Sequence, residues 1–309
     1  MDKYEVIIIG SGPAGLTAAL YTARGGLKTL VLGGYTYGGQ LMNTTVIENF
    51  PGFVDGIDGP VLMDNMLKQV QRFGALVEFV DATAIEIEGD DYVVRTHDKQ
   101  YTTSAVIIAT GATPKRLNVP GEAELYGRGV STCATCDGAL YKDKVVAVVG
   151  GGDSAMEEAT YLTHHASKVY LIHRRDKFRA SKIMADRVAN DPKIEIVWNT
   201  EVKEIVGKEN KLSHAVLFNN QENRTYDQPL DGFFLAIGHE PVTAFLGGTI
   251  KLTDKGYVDS ADGIHTSRPG IFVCGDVQDQ VYRQAITAAG MGCRAALETI
   301  KYLEMKEVV

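Results

Sequence analysis

The 309-residue sequence predicts an α/β protein with two domains, each built around a parallel sheet. Three observations support this fold class. The length exceeds the roughly 100–200 residues of a typical domain. A strand–glycine turn–helix–strand pattern begins near residue 4 and recurs near residue 144. Other apolar, β-branched segments also end in glycine, and strands that alternate with helices favour parallel pairing.

The two repeated patterns are βαβ units. In the first, "YEVIIIG" reads as a strand, "LTAALYTARGG" as a helix and "LKTLVLGG" as the next strand. In the second, "KVVAVVG", "GGDSAMEEATYLTHHA" and "SKVYLIHRR" take the same roles. Because so long a stretch of chain separates them, we expect two separate nucleotide-binding domains rather than one doubled sheet.

The remaining segments fill in each domain. "SAVIIATG", "DGFFLAIG" and "PGIFVCGD" read as buried strands, and "YRQAITAAGMGCRAALETIKYLEM" reads as a long helix. "IEIEGDDYVVRTHDKQYTTS" and "KLSHAVLFNNQENRTYDQPL" alternate as antiparallel hairpins do. "ATPKRLNVPG" and "HEPVTAFLGG" contain proline and polar residues and are the best candidates for linkers. Each domain is therefore predicted to have a parallel core and a small antiparallel layer.

Composition and charge exclude several functional classes. The net charge is −8 and the pI is near 5.4, which argues against a nucleic-acid partner. No segment approaches the ~18 apolar residues that span a bilayer, so no membrane association is expected. The N-terminus lacks a signal-peptide pattern, and four cysteines do not make a disulfide scaffold. The sequence indicates a soluble, cytoplasmic protein.

The first glycine motif, Gly10-Ser11-Gly12-Pro13-Ala14-Gly15, lies between a strand and a helix. The first glycine permits a sharp turn, the second allows close approach of a pyrophosphate, and the third allows tight helix–strand packing. The alternative is an ordinary glycine turn. The second strand ends in Gly33 and Gly34 instead of the acidic residue that would bind a ribose hydroxyl. The motif alone therefore leaves the identity of this nucleotide open.

The second motif, Gly150 to Ala155, fits G-x-G-x-x-A. Its second strand ends in His173-Arg174-Arg175, and Lys177 and Arg179 lie shortly after it. Guanidinium groups bind phosphate in a bidentate manner, so the 2′-phosphate of NADPH is the natural ligand. The alternative is a solvated basic loop.

An enzyme with two dinucleotide sites usually needs a second redox carrier. In "GIFVCGDVQD", Asp276 is predicted to lie just beyond a buried strand and before a helix. A carboxylate in that position could hold a ribityl hydroxyl of a flavin. An ordinary helix cap is the alternative.

Cys133 and Cys136 form the C-x-x-C of "STCATCDGAL". A zinc site would need further cysteine or histidine ligands at fixed spacing, so no metal is expected. A static disulfide in so short a loop would add little stability and is unusual in the cytosol. A redox pair is favoured, and Asp137 could exchange a proton with a departing thiolate, although a turn aspartate is equally compatible. Cys274 and Cys293 read as packing thiols.

Taken together, the motifs resemble those of the low-molecular-weight, NADPH-dependent thioredoxin reductases of bacteria and archaea. The matching segments, in family order, are "GSGPAG", "GGQL", "ENFPG", "ATG", "CATCDG", "GGGDSAMEEA", "HRRDKFRA", "GDVQD" and "YRQAITAAGMG". The resemblance implies two Rossmann-like, three-layer domains. An FAD domain comprises residues 1–112 and 242–309, and an NADPH domain with the C-x-x-C, residues 113–241, is inserted into it.

The resemblance also implies the site residues and their roles. Cys136 would face the flavin, Cys133 would attack the disulfide of thioredoxin, and Asp137 would act as the acid. The implied FAD contacts are Gly10, Ser11, Gly12, Pro13, Ala14, Gly15, Gly33, Gly39, Gln40, Asn49, Gly111, Asp276, Arg283, Gln284 and Ala285. The implied NADPH contacts are Gly150, Gly152, Asp153, Ser154, Glu157 or Glu158, His173, Arg174, Arg175 and Arg179.

Family members work as homodimers and swing the NADPH domain on two linkers, so the resemblance implies both properties. Among enzymes, one alternative is a reductase of a peroxiredoxin partner. Two others are a dithiol oxidase and a reductase linked to ferredoxin or deazaflavin. Arg174 and Arg175 argue against these two, because neither would be expected to keep a complete NADPH site. From another class, a non-catalytic redox sensor would keep both glycine motifs. It would have no need for Cys133, Cys136 and Asp137 together.

Overall fold

The computed structural model describes residues 2–43 and 46–307. The chain forms two compact units: unit 1 comprises Met1–Thr113 and Glu240–Val309, and unit 2 comprises Pro114–His239. The backbone passes from unit 1 to unit 2 at residue 113 and returns at residue 240. Unit 2 is therefore an insertion into unit 1.

Unit 1 is organised by a seven-stranded sheet. Its strands are β1 (Asp2–Ile9), β2 (Thr29–Leu32), β5 (Leu76–Glu78), β6 (Ala84–Glu88), β7 (Asp91–Arg95), β8 (Gln100–Ile108) and β19 (Ile271–Val273). The short strands β3 (Val46–Ile47) and β4 (Ile57–Asp58) form a separate pair, and β9 (Ala112–Pro114) comes after β8. Its helices are α1 (Pro13–Arg24), α2 (Gly59–Arg72) and α6 (Ala285–Glu307), with 3₁₀ segments at Gly39–Asn43 and Ala244–Leu246.

The sheet of unit 1 is parallel at its centre and antiparallel at one end. β1 pairs in parallel with β2 and β8, and β19 also pairs in parallel with β8. β7 and β6 continue the same sheet in antiparallel fashion. Successive residues of β1 point to opposite faces: Val6 and Ile8 pack in a core with α1 and α6, whereas Ile7 and Ile9 pack in a core with β6 and β7.

Unit 2 has a parallel sheet and a separate antiparallel sheet. The parallel strands are β10 (Val130–Ser131), β11 (Val145–Gly150), β12 (Lys168–Ile172), β13 (Ile194–Val197) and β17 (Gly232–Ala236), in the order β10-β17-β11-β12-β13. The antiparallel strands are β14 (Thr200–Lys208), β15 (Lys211–Asn219) and β16 (Arg224–Pro229), and β18 (His239–Pro241) spans the return of the chain to unit 1. The helices are α3 (Ala134–Asp137), α4 (Asp153–Leu162) and α5 (Lys182–Ala189), with a 3₁₀ segment at Gly138–Tyr141.

Both faces of the parallel sheet in unit 2 are covered. Val146 and Val148 of β11 pack with the helical side, together with Met156 and Leu162 of α4. Ala147 and Val149 pack with the antiparallel strands. The predicted three-layer α/β architecture is confirmed, and the last helix is the main local error. It begins at Ala285, not at Tyr282, because the three preceding residues lie in a loop in which Arg283 has a φ of 49°.

Within the described part of the chain, no helix is long and apolar enough to cross a membrane.

Candidate functional site

The first glycine turn joins β1 to α1, and its three glycines are required for different reasons. Gly10 has a φ of 113°, and a Cβ there would lie 2.3 Å from the Ala109 carbonyl oxygen. A Cβ at Gly15 would lie 2.0 Å from the Gly10 carbonyl oxygen. The chain's own packing therefore demands glycine at both positions.

Gly12 differs from its two neighbours because nothing lies within 4 Å of the Cβ it lacks. Its φ of −71° and ψ of −177° suit any residue. It is the N-cap of α1 and has no side chain that could cap the backbone N–H groups of the first helical turn, so these groups are left for a ligand. The cradle fits an anion such as a pyrophosphate, and the chain itself gives no other reason for a glycine.

The end of β2 is tied to the same turn. The Ser11 hydroxyl donates to the Gly33 carbonyl oxygen at 2.6 Å and accepts from the Gly38 N–H at 3.0 Å. A Cβ at Gly33 would lie 3.2 Å from the Ser11 Cβ. Gly33 therefore lets the end of β2 pass close to the turn, where even a Cβ would be in tight contact with Ser11.

Other predicted flavin contacts of unit 1 lie next to this turn or bond to one another. A Cβ at Gly39 would lie 3.5 Å from the Gly12 Cα. Gln40 donates from Nε2 to the Ala112 carbonyl oxygen, next to Gly111, which has a φ of 71°. The Asn49 side-chain amide donates to Gln284 Oε1 at 3.3 Å.

The loop after β19 differs from the sequence expectation. Asp276 lies in a turn, and α6 starts only at Ala285, so Asp276 does not cap that helix. Asp279 takes the structural role instead: its carboxylate accepts from the N–H groups of Val281, Tyr282 and Arg283 at 2.8–3.1 Å. Asp276 remains available for a ligand.

Burial raises the pKa of Asp276 to about 6, and the charge of Asp279 adds to this rise while Arg283 opposes it. A half-buried carboxylate beside another carboxylate is costly to leave alone. A hydroxyl donor from a ligand would relieve that cost. The residues of unit 1 thus fit a dinucleotide with a polyol portion.

The second glycine turn, between β11 and α4, is built differently. A Cβ at Gly150 would lie 2.4 Å from the Ala236 carbonyl oxygen and 2.6 Å from the Ala155 Cβ. Gly151 faces the His173 ring, which would lie 2.2 Å from a Cβ there. Gly152, the N-cap of α4, again has nothing within 4 Å of its missing Cβ. In both motifs, therefore, the second glycine is the one with free space at its missing Cβ.

The loop carrying the predicted 2′-phosphate ligands folds back onto this turn. We call residues 174–180 the arginine loop. The Arg179 and Ala180 N–H groups donate to the Gly151 carbonyl oxygen at 2.7 and 3.1 Å. The side chains of Arg174, Arg175 and Arg179 are exposed, and none forms a salt bridge within the described residues. Unit 2 therefore places exposed guanidinium groups beside a glycine turn.

The remaining predicted coenzyme contacts lie on or beside α4. Asp153 Oδ1 accepts from the Ser181 N–H at 2.8 Å, which ties the helix start to the end of the arginine loop. Ser154 is half-buried in the first turn, and Glu157 is exposed one turn later. No contact in the described structure brings Glu157 to the arginine residues.

Cys133 and Cys136 are joined by a disulfide with a Cα–Cα distance of 5.3 Å. Cys133 is the N-cap of α3 and is half-buried, whereas Cys136 is exposed. The next helical turn continues to Gly138, where a Cβ would lie 3.1 Å from the Tyr161 ring of α4. The pair thus lies at the surface of unit 2, on a short helix that packs closely against α4.

Asp137 lies directly after the pair, and burial raises its pKa; a hydrogen bond from the Ser131 hydroxyl opposes this rise. The same hydroxyl accepts from the Cys133 N–H at 3.0 Å. A carboxyl group with a raised pKa keeps a proton at higher pH than an exposed aspartate and can deliver it to a departing thiolate.

Three features of the site were missed at the level of sequence. Ser131 accepts from the Cys133 N–H and lowers the pKa of Asp137, Asp279 holds the loop before α6, and the Gly151 carbonyl holds the arginine loop. Of these three features, only Ser131 could have been found from the sequence, because it lies two residues before the first cysteine. The contacts that involve backbone atoms leave no pattern in the sequence.

Comparisons of this chain with family models, with known sequences and with solved structures agree with one another. The family description "Pyridine nucleotide-disulphide oxidoreductase" matches residues 4–292. A thioredoxin reductase of Streptomyces coelicolor is 51% identical over 305 residues, 98% of this chain and 94% of the relative. One of Mycolicibacterium smegmatis is 49% identical over 301 residues, 97% and 96% of the two chains. The solved thioredoxin reductase of Streptococcus pyogenes MGAS5005 is 43% identical, covers 98% of this chain and 99% of its own, and has a TM-score of 0.94.

Proposed function

The chain belongs to the thioredoxin reductases of the pyridine nucleotide-disulphide oxidoreductase family, and from this membership we propose how its residues carry out the reaction. It is a disulfide reductase that uses a flavin and a pyridine nucleotide. The net reaction converts NADPH, a proton and oxidised thioredoxin into NADP⁺ and the thioredoxin dithiol. The identity of the cofactors as FAD and NADPH, and the residues assigned to each, are part of the proposal.

In unit 1, we assign the FAD diphosphate to the open cradle at Gly12 and a ribityl hydroxyl to Asp276. The free N–H groups at the start of α1 would bind the diphosphate, and the raised pKa of Asp276 indicates an acceptor in need of a donor. The bound flavin supplies a two-electron carrier between a hydride donor and a disulfide. The Asn49–Gln284 hydrogen bond holds two further predicted contacts together.

In unit 2, we assign the NADPH diphosphate to the cradle at Gly152 and the 2′-phosphate to Arg174, Arg175 and Arg179. The support is the exposed guanidinium groups, which form no salt bridge in the described residues, and their attachment to the glycine turn through the Gly151 carbonyl. Planar guanidinium groups favour a coenzyme with the additional phosphate.

The cysteine pair passes the electrons on. The Cys133–Cys136 disulfide gains two electrons and two protons and becomes a dithiol. The Cys133 thiolate then attacks one sulfur of the thioredoxin disulfide, which breaks that bond and forms a mixed disulfide. Cys136 attacks Cys133 in turn, restoring the Cys133–Cys136 bond and releasing the thioredoxin dithiol. Asp137 donates a proton to a departing thiolate and takes one back in each cycle.

One observation carries the proposal: the surface disulfide Cys133–Cys136 stands beside a carboxyl group whose pKa is raised by burial. A structural clip would not require that acid. The relatives at 49–51% identity are named thioredoxin reductases, which favours thioredoxin over the peroxiredoxin and oxidase alternatives, and a sensor would not need the acid.

We also propose a homodimer in the cytoplasm. Exposed apolar side chains of unit 1, such as Val54, Val281 and Tyr282, support association with a second copy. Light scattering after size-exclusion chromatography measures the mass directly. A disulfide that cycles between its oxidised and reduced forms supports a cytoplasmic location, because disulfides in the cytoplasm are usually transient and catalytic.

The test compares NADPH oxidation with oxidised thioredoxin and with an artificial acceptor that takes electrons directly from the flavin. Cys133→Ser should abolish reduction of thioredoxin and leave reduction of the artificial acceptor intact. Cys293→Ser, at a half-buried free thiol of α6, is the matched control and should preserve both activities. Thioredoxin reduction by the Cys133→Ser variant would refute the assigned role.

A further inference from the structure

Three aromatic rings support the arginine loop of unit 2. The Phe178 and Trp198 ring centroids are 4.2 Å apart, His173 lies 5.4 Å from Phe178, and His173 lies 6.1 Å from Trp198. His173 directly precedes the arginine loop, Phe178 lies within it, and Trp198 comes from the segment after β13. We call these three residues the aromatic wedge. Such closely packed rings add stability beyond their buried area.

The wedge histidine fixes the middle of the arginine loop. His173 Nε2 lies 3.1 Å from the Lys177 carbonyl oxygen, and because a carbonyl only accepts, Nε2 carries the proton. Burial lowers the pKa of His173, so the ring is neutral at neutral pH. Its other side fills the space above Gly151, the residue whose carbonyl holds the Arg179 N–H.

Residues next to Trp198 hold the start of the arginine loop. The Asn199 N–H donates to the Arg175 carbonyl oxygen at 3.2 Å, and Asn199 has a φ of 52°. The Asn220 side-chain amide donates to the Arg174 carbonyl oxygen at 3.1 Å. Asn199 directly follows Trp198 and its carbonyl oxygen accepts from the Asn220 N–H at 2.8 Å, so the Trp198 ring and the backbone contacts to Arg174 and Arg175 belong to one connected segment.

These contacts order the backbone of the arginine loop while the guanidinium groups remain exposed. Ordering a loop during binding costs free energy, and a loop held beforehand avoids that cost. The lower free-energy cost of ordering the loop favours only a ligand that binds the arginine side chains. It does not increase the affinity for a coenzyme without a 2′-phosphate.

We propose that Trp198 is a specificity-determining positioning residue: the aromatic wedge holds the arginine loop in the conformation that favours a 2′-phosphorylated coenzyme over the unphosphorylated one. The inference rests on the proposed assignment of NADPH to unit 2. Trp198 acts through the arginine loop, so its loss should change the preference between coenzymes without changing the shared part of binding.

The experiment measures binding of NADP⁺ and of NAD⁺ to the flavin-loaded enzyme by calorimetry. The oxidised coenzymes cannot reduce the flavin, so each titration reports binding alone. In Trp198→Ala, the affinity for NADP⁺ should fall about tenfold, equivalent to about 1.4 kcal/mol, while the affinity for NAD⁺ changes less than about twofold. Trp198→Phe keeps an aromatic ring and should recover most of the NADP⁺ affinity.

Two further variants control the result. Tyr226→Ala removes a half-buried ring from β16 of the separate antiparallel sheet and should leave the ratio of the two affinities unchanged. Phe178→Leu removes the ring that packs most closely on Trp198 and should lower the ratio if Trp198→Ala does not fold.

An equal loss of affinity for both coenzymes in Trp198→Ala, or an unchanged ratio there and in Phe178→Leu, would overturn the inference alone. A wild-type enzyme that bound NADP⁺ and NAD⁺ equally would overturn the proposed coenzyme and the inference with it.

Discussion

The two glycine turns have the same motif but are not the same structure. Gly10 in unit 1 adopts a φ of 113°, whereas Gly150 in unit 2 is not among the residues with positive φ. The third position is Gly15 in unit 1, where a Cβ would strike the Gly10 carbonyl, and Ala155 in unit 2, where a Cβ is accommodated. Only the second position, Gly12 or Gly152, has the same open surroundings in both.

This difference between the two turns distinguishes two reasons why a position in the motif is occupied by glycine. The first and third positions respond to the chain's own packing, which can change between domains. The middle position faces empty space in both units, which favours the proposed ligands as the reason for glycine there. The residues after the second strand then decide which ligand fits: β2 ends in Gly33 pressed against Ser11, whereas β12 leads into the arginine loop.

The largest effect is expected where the two turns differ most. Gly15→Ala brings a Cβ to within 2.0 Å of the Gly10 carbonyl oxygen, so unit 1 must shift, at a cost of about 3 kcal/mol or more. The reverse exchange in unit 2, Ala155→Gly, should cost only about 1 kcal/mol, the ordinary penalty of glycine in a helix. Chemical denaturation of the two flavin-free variants measures both values, and equal losses would contradict the comparison.

The shared middle position should separate the two ligands. Gly12→Ala should fold normally but lose affinity for flavin by about 100-fold, equivalent to about 2.7 kcal/mol. Gly152→Ala should retain flavin and lose affinity for NADP⁺ by a similar factor. Flavin absorbance after gel filtration and calorimetry with NADP⁺ distinguish them. If each variant lost both ligands, the assignment of one ligand to each unit would fail.

The stability of unit 1 should depend on pH through Asp276. The folded-state pKa of Asp276 is raised to about 6, so the folded protein binds this proton more tightly than the unfolded chain does. Its contribution therefore lowers stability as the pH rises from about 4 to about 6. Flavin-free Asp276→Asn should be more stable than wild type by about 1–2 kcal/mol at pH 7 and above.

Thermal unfolding of that variant across pH gives the comparison. The advantage of Asp276→Asn should disappear below about pH 4, where both proteins carry a neutral side chain. An advantage that persisted unchanged at acidic pH would show that Asp276 does not titrate as described.

The smallest effect is expected at Ser131. Its hydrogen bond lowers the pKa of Asp137 against the effect of burial, so Ser131→Ala should raise that pKa further and move the alkaline limb of thioredoxin reduction to higher pH. The rate at neutral pH should change little, because Asp137 is then more fully protonated there, so the effect should appear at the alkaline limb. Tyr141 also faces Asp137, but burial raises its pKa to about 12, so it stays neutral.

The Ser131 prediction has a conservative control. Ser131→Thr retains the hydroxyl and should restore the wild-type pH profile. A profile that stayed in place in Ser131→Ala would remove Ser131 from the acid's environment.

The sequence was sufficient for the parts of the molecule governed by local pattern. Both βαβ units and the antiparallel hairpins arise from short-range periodicity, because strand and helix periods appear within a few residues. The three-layer class came from the resemblance to a known family. The start of α6 was wrong because the Asp279 carboxylate holds residues 281–283 out of the helix. That interaction overrides a favourable apolar pattern.

The contacts that shape the site depend on residues far apart in sequence. The Asn220 hydrogen bond to Arg174 and the Arg179 bond to Gly151 join segments that only the folded sheet brings together. A single sequence carries no periodic signal for such contacts. The residues assigned to FAD and NADPH stay predictions, which the paired glycine variants test.

The central claim is that electrons from NADPH leave through Cys133 and Cys136. The most direct measurement is anaerobic thiol labelling of the two cysteines, with peptide mass analysis, before and after one equivalent of NADPH and again after oxidised thioredoxin. Both cysteines should be unlabelled at first, labelled after NADPH, and protected again once thioredoxin is reduced. Consumption of NADPH and reduction of thioredoxin while Cys133 and Cys136 stay joined would contradict the account.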